Sequence, residues 1–286
     1  MSDLLVRSQG PCLVLSLNRP DVHNALNLNL LTLLKHEFIK LITHPESYDL
    51  VIIEGNGPSF CAGADVREMK TLIQRIRQGK AEYSEAQAMN QAYGELLYLA
   101  EKLPQTVITI AKGSILGGGL GLIAISDYVF CHMDTRFGLP EAKLGLTPAQ
   151  VAPFIIKKVG LSATRKLALC GTQMHADQAL TTGLVDQIFS GDQELEQELN
   201  RMQTRIIKLA PKARAKTKAL LLFLAFQQQG SEAINTLNTP MWTAEKAALS
   251  FVEDLKGDEF NQGSQALFSS NEPPWVSRWH KAQQES

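Results

Sequence analysis

Ile115-Leu-Gly-Gly-Gly-Leu-Gly-Leu122 is the stretch on which the reading of this chain turns. Three successive glycines open an apolar, helix-like run, so backbone N–H groups there can approach a ligand with no side chain in the way. Nothing on that turn can donate or take a proton, because Leu120 and Gly121 are both inert. The turn is suited to holding a negative oxygen while an acid–base group acts from elsewhere. Glu141 is the first candidate for that group.

Outward from the turn, the chain alternates strands and helices. Val107–Ile110 reads as the strand that leads into it, and Asp127–Cys131 as the strand that follows. Upstream, Leu13–Leu17 is a strand ended by Asn18-Arg-Pro20, and Asp49–Glu54 is a buried strand closed by the turn Gly55-Asn-Gly-Pro58. Leu26–Thr43 carries apolar residues at Leu30, Leu34, Phe38 and Leu41, the period of a helix, and the polar stretch Thr71–Glu101 is largely helical. The order strand–helix–strand–helix–strand predicts an α/β core. Beyond Pro148 the spacing predicts a helix over Ser162–Cys170 with Ser162 as N-cap and Gly171 closing it. A second helix over His175–Thr182 is closed by Gly183, and Val185–Phe189 is a short last strand. From Gln193 onward the pattern is helical, with breaks at Pro211, Gly230 and Pro240. Residues 1–192 thus read as the core with the site, and 193–286 as a helical region of the same structural unit that extends it or makes an oligomer contact.

Composition excludes several classes. The 286 residues are 44% hydrophobic with a formal net charge of −1, enough for a substantial core and without the basic field that nucleic acid or an anionic membrane would require. The start has no basic segment followed by an apolar one, and no apolar run approaches the ~18 residues of a spanning helix, so a cytoplasmic protein is expected. The 4 cysteines are widely spread in apolar settings and read as reduced core thiols. The 6 histidines show no metal-ligand spacing, so no metal is expected. Gly119-Leu-Gly-Leu-Ile-Ala124 nominally fits a dinucleotide fingerprint but sits in the third strand unit, and no phosphate-binding P-loop exists. Cys61 has no evident histidine partner and reads as packing, and Trp275 and Trp279 as anchors for the C-terminus.

Two further segments bear on chemistry. Ser59-Phe-Cys-Ala-Gly-Ala-Asp65 alone is a tight strand-to-helix turn. Beside the Gly117-Gly-Gly119 turn it is also a place where the backbone of Ala64 can face inward, giving two converging N–H donors and hence an oxyanion hole. Phe137-Gly-Leu-Pro-Glu141 places a glutamate after a proline and before an apolar run. Such a residue is equally a surface or capping residue or, if buried, a general acid–base.

Together these segments resemble the crotonase family, the enoyl-CoA hydratase/isomerase superfamily. The resemblance runs from Leu17-Asn-Arg-Pro20 and Asn24-Ala-Leu-Asn27 through Phe60–Asp65, Gly113, Leu116–Gly119, Phe137–Glu141 and Leu144-Gly-Leu146 to Pro274-Trp275. It implies a spiral of ββα units with a C-terminal helical region that trimerises, often as a dimer of trimers. It also implies an acyl-CoA thioester substrate, with coenzyme A as part of that substrate and no separate cofactor. The thioester oxygen would lie between the N–H groups of Ala64 and Gly118. The CoA moiety would pass Ala62, Asp65, Val66 and Arg67, with Gly117 beside the thioester and Arg19 and Val22 near the nucleotide end.

Where family hydratases carry two glutamates, this chain has Gly121 at the first position and Glu141 at the second. Single-glutamate relatives include enoyl-CoA isomerases. Leu144-Gly-Leu-Thr-Pro-Ala-Gln150 resembles a group that includes isohexenylglutaconyl-CoA hydratases of acyclic terpene breakdown. Ser270 and Asn271 stand where the tail commonly has Lys-Arg, and Lys70–Leu103 looks long for a segment that shapes the acyl pocket. The expectation is hydration of a branched or carboxylated 2-enoyl-CoA with Glu141 as the catalytic residue. The rivals are a Δ3-Δ2 enoyl-CoA isomerase and an acyl-CoA-binding protein with little catalysis. Glu68, or a residue of the 70–103 stretch, is left as a possible stand-in for the missing carboxylate.

Overall fold

Strands run in chain order as β1 (Leu4–Gln9), β2 (Cys12–Leu17), β3 (Leu50–Gly55), β4 (Thr106–Ala111), β5 (Ser114–Leu116), β6 (Tyr128–His132), β7 (Arg136–Gly138), β8 (Met174–His175) and β9 (Gln187–Phe189). The computed structural model describes residues 2–9, 12–207, 211–230, 248–249, 252, 255–256, 258–269 and 271. The main sheet has the order β1-β2-β3-β4-β6-β9. Within this sheet, among the described residues, only β1 and β2 pair antiparallel, Leu4 opposite Leu17 and Gln9 opposite Cys12, while Cys12–Leu50, Val51–Val107 and Ile108–Tyr128 set the parallel registers. A sheet of parallel strands covered on both faces needs strands that are apolar throughout, and β2 is buried at every position.

The two-residue period of the strands sorts these side chains onto two faces. Leu13, Leu15, Val51, Ile53, Val107 and Val129 join the larger core. Val14, Leu50, Ile52, Ile108, Ile110 and Phe130 join the opposite one. The larger core is covered by α1 (Leu28–Thr43), which buries Leu30, Leu34, Phe38 and Leu41. Asn27 caps this helix by accepting from Leu30 N at 2.8 Å. The helix therefore starts two residues later than its apolar period suggests, because Leu26 is drawn into a bridge with Ala64.

The helical stretch expected over 71–101 is two helices, α2 (Val66–Arg77) and α3 (Tyr83–Glu101). Gly79, at φ +67°, turns the chain between them. After α4 (Gly118–Ala124) the chain forms α5 (Ala152–Leu169), which is kinked at Gly160 with φ 75° and ψ 168°. The helix expected from Ser162 is thus the second arm of a longer one, and the break falls at Gly160 because its conformation is open to glycine alone. Helix α6 (Ala176–Thr182) ends on Gly183 in the left-handed region, as the sequence suggests. Strand β1 and the small sheet β5-β7-β8 have no clear counterpart in the sequence reading.

Helices α7 (Asp192–Ile207), α8 (Pro211–Gly230) and α9 (Asp258–Ser269) follow. Ile206 of α7 packs into the second core. From α8, Arg214 donates to Asp49 Oδ1 at 2.7 Å, and Lys218 donates to Asp127 Oδ2 at 2.6 Å and to Gln105 O at 3.1 Å. All three partners precede the N-terminal ends of parallel strands. Val252 and Leu255 join Met69, Leu72, Ile73 and Leu146 in a third apolar cluster. The break expected at Pro240 and the anchors Trp275 and Trp279 lie outside the described residues. Among the described residues no helix is long and apolar enough to cross a membrane. Cys12, Cys61 and Cys131 are buried free thiols, whereas Cys170, expected in a core setting, is exposed.

Phe38 is fully buried between α1 and the sheet. Phe38→Ala removes that ring, and an increase of roughly 3–5 kcal/mol in the ease of unfolding is expected, read from urea denaturation.

Candidate active site

Two loops that leave the C-terminal ends of β3 and β4 are held side by side by a parallel bridge between Cys61 and Ile115. Leu116 N donates to Cys61 O at 3.2 Å within it. On the first loop, Leu26 N donates to Gly63 O at 2.7 Å and Asp65 N donates to Leu26 O at 3.0 Å. Both polar groups of Leu26 are thereby used on the residues flanking Ala64, which leaves the Ala64 N–H turned the other way. On the second loop, Gly118 is the first residue of α4, where a helix has no partner for its N–H groups. Neither N–H donates to another described residue.

The glycines make this approach possible. Gly63 has φ +89°, and a Cβ there would lie 2.6 Å from Leu116 O and 3.2 Å from Gly118 N. A Cβ on Gly119 would run into Cys61 O. Ala64 and Gly118 therefore lie on one close approach of two backbones and line one cavity, with the N-terminus of α4 at Gly118.

Glu141 reaches the same place through the small sheet. Strand β7 pairs parallel with β5, and Gly117 N donates to Gly138 O at 2.9 Å. Three residues later Glu141 begins a 3-10 turn, Glu141–Leu144, anchored by Leu146 N donating to Glu141 O at 3.0 Å. A Cβ on Gly117 would lie 2.9 Å from Glu141 Oε1, so the glycine also makes room for the carboxyl. Oε2 is buried with no hydrogen-bond partner among the described residues. Burial raises its pKa from 4.5 to about 7, partly offset by a backbone hydrogen bond. Such a carboxyl can both take and return a proton near neutrality.

A cavity of about 120 Å³ joins these groups and is lined by Ala64, Gly118, Glu141, Tyr93, Asn90 and Met69, among others. Ala62, Val66 and Gly117 also reach it. Asp65 does not line it. Its carboxylate caps α2, accepting from Arg67 N at 3.2 Å and Glu68 N at 3.3 Å, and from Arg19 Nη2 at 3.0 Å. Arg19 also donates to Ala25 O and is largely buried, so it braces the loop carrying Ala64. Val22 sits half-buried in the 3-10 turn Pro20–Val22, and Arg67 is exposed at the start of α2. Asn24, fully buried at φ +56°, donates to Asn56 O and Ser59 O and locks the entrance to the same loop.

Glu68 lies outside the cavity, in an outer groove with Thr71 and Arg75, so it does not replace the absent carboxylate. Glu141 is the only carboxylate lining the cavity among the described residues. Cys61 is fully buried, its thiol pKa pushed up to about 12 by desolvation, which suits packing and not nucleophilic attack. Sequence reasoning missed Tyr93 and Asn90 on α3 and the role of Gln150, whose Nε2 donates to Asn90 Oδ1 at 2.9 Å. Only Gly121 pointed to Tyr93, since an absent side chain in a buried helix requires a filler from elsewhere.

A model of the enoyl-CoA hydratase/isomerase family matches residues 7–259. The chain belongs to this family. It is 34% identical over 222 residues to the 2,3-dehydroadipyl-CoA hydratase of Escherichia coli (strain K12), covering 77% of this chain and 82% of that one. Among solved structures it is similar to Pseudomonas aeruginosa AtuE, with a TM-score of 0.73 and 33% identity over 96% of this chain and 99% of that one. An enoyl-CoA hydratase/isomerase from Marinobacter aquaeolei gives a TM-score of 0.71 and 32% identity, with the same coverage. The fold is that of a crotonase, and this crotonase is an enzyme of enoyl-CoA thioester chemistry.

The raised pKa of Glu141 links the site to stability. Its protonated form favours the folded chain, a contribution complete below the ordinary value of 4.5 and lost as pH rises through about 7. Glu141→Gln cannot ionise, so the variant should gain on the wild type by on the order of a few kcal/mol between pH 4 and pH 8. Denaturant titrations at the two pH values read this difference.

Proposed function

We propose that this crotonase hydrates a branched or carboxylated 2-enoyl-CoA, with Glu141 as the catalytic residue and the N–H groups of Ala64 and Gly118 as its oxyanion hole. The observation that carries the proposal is the buried, unpartnered Oε2 of Glu141 in the same cavity as those two donors. Water gives a proton to the Glu141 carboxylate as its oxygen bonds to C3. The electron pair of the C2–C3 double bond moves toward the thioester oxygen, where two preorganised donors are each worth roughly 2.7–4 kcal/mol in the transition state. Glu141 then returns the proton to C2, so that water is added across the double bond with no net change in the enzyme.

The CoA moiety lies past Ala62, Asp65, Val66 and Arg67, with Arg19 and Val22 toward its nucleotide end. Arg19 acts there through Asp65, because its guanidinium is committed to that carboxylate. No cofactor beyond the CoA of the substrate is needed. The acyl group meets Met69, Leu144, Leu146 and Val151, an apolar wall suited to a branched chain. The amide nitrogen of Asn90 is a neutral donor for a distal carboxyl, since its oxygen is taken by Gln150. The dehydroadipyl name of the Escherichia coli relative supports a carboxyl-ended acyl group, and Leu144–Gln150 supports an isohexenylglutaconyl-type one. Assembly as a trimer or dimer of trimers draws support from Leu161, Leu169 and Leu180, apolar side chains left exposed on α5 and α6.

One observation favours isomerisation as the second reading. A single carboxylate in the cavity suffices to carry a proton between C2 and C4, and no water need be held. Turnover of 2- and 3-enoyl-CoA thioesters in H₂¹⁸O separates the two. Label at C3 is expected, and double-bond migration without label would overturn hydration. Glu141→Gln is expected to lower kcat by roughly 10²–10⁴. Because the base form starts the reaction, the rate should climb as pH passes about 7 and level off above it, as read from a pH profile of kcat/KM.

A further inference from the structure

Gly121 leaves a space above α4, and the structure shows what fills it. A Cβ on Gly121 would run into Tyr93 Oη and would lie 2.8 Å from Leu97 Cδ1. A Cβ on Gly118 would lie 3.5 Å from the same hydroxyl oxygen. Tyr93 Oη therefore sits over the first turn of α4, between the two glycines, and it donates to Gly118 O. Tyr93 also lines the cavity that holds Glu141.

We propose that the Tyr93 hydroxyl holds the water that Glu141 activates, in the place a side chain at position 121 would otherwise occupy. This rests on the hydration reading. A water poised for attack has two protons to place, and a lone pair must be left for C3. One proton goes to Glu141. The other needs an acceptor that offers no competing proton of its own. The single proton of Tyr93 is committed to Gly118 O, so toward the cavity the hydroxyl presents only lone pairs. Asn90 is a poorer choice, because its Oδ1 already accepts from Gln150.

Tyr93 takes no proton from the water at any step. The proton removed goes to Glu141 and on to C2, the oxygen goes to C3, and the phenol stays intact. Burial, then the neighbouring Cys61 and Glu141, push its pKa well above the ordinary value of 10, so it does not compete as a base.

Tyr93→Phe keeps the ring and removes only the oxygen. Two rates distinguish water-holding from a merely structural role. One is hydration of 3-methylglutaconyl-CoA, a branched and carboxylated 2-enoyl-CoA. The other is exchange of the C2 protons of butyryl-CoA in D₂O, in which Glu141 takes a proton, trades it for a solvent deuteron and returns that to C2, with no water held for attack on C3. The variant is expected to lose roughly tenfold or more in hydration kcat with KM little changed. Its exchange rate should stay within about threefold of the wild type. Unchanged hydration would overturn the proposal. An equal fall in both rates would overturn it too, placing Tyr93 as a support for Gly118 alone. A wild-type enzyme that exchanges C2 protons yet adds no water would refute the hydration reading itself, and water-holding with it.

Discussion

The site depends on one close approach of two backbones. Residues 61–64 and 115–119 run side by side, and Gly63 and Gly119 are the residues that permit it. A single added carbon at Gly63 would press on Leu116 O at 2.6 Å in a conformation that side chains rarely adopt. The approach sets the direction of two N–H groups and leaves room for the Glu141 carboxyl beside Gly117. On the proposed reading, polar groups aimed in advance at a developing charge need no rearrangement during reaction, which is why a rigid backbone contact serves better than flexible side chains.

The rest of the fold divides its tasks by the two ends of the parallel sheet. At the N-terminal ends, carboxylates tie strands together: Asp127 Oδ2 accepts from Val107 N and Asp186 Oδ2 from Val129 N, each at 2.8 Å. Arg214 and Lys218 of α8 add charge-assisted bonds to Asp49 and Asp127 at that end. The loops at the opposite ends are thereby free to be shaped by chemistry, the usual division in sheets of this kind.

Much of this was legible in the sequence, for physical reasons that differ by element. The parallel strands β2, β3, β4 and β6 were readable because burial on both faces demands unbroken apolar runs. The glycine turn and the Pro-Glu turn were readable because few residues can take those conformations. Strand β1 was not, since all but Leu4 of its side chains face solvent and it carries no apolar period. The division of the 71–101 stretch rests on Gly79 in the left-handed region, which the composition of the stretch conceals. Tyr93 and Asn90 were invisible because their roles come from tertiary packing of α3 over α4. Local periodicity assigns a residue to a helix face and says nothing of which loop that face will meet. The bond from Arg19 Nη2 to Asp65 Oδ2 at 3.0 Å is likewise tertiary, joining residues 46 positions apart.

Gly121 and Tyr93 occupy a shared volume, and this constrains descent as well as chemistry. An acidic side chain introduced at 121 collides with the Tyr93 hydroxyl and with Leu97. A small residue introduced at 93 removes the partly buried ring that packs over α4. Each single step is costly, and only the paired change restores a filled core. The two positions are therefore coupled in this chain: the volume that one side chain takes is denied to the other.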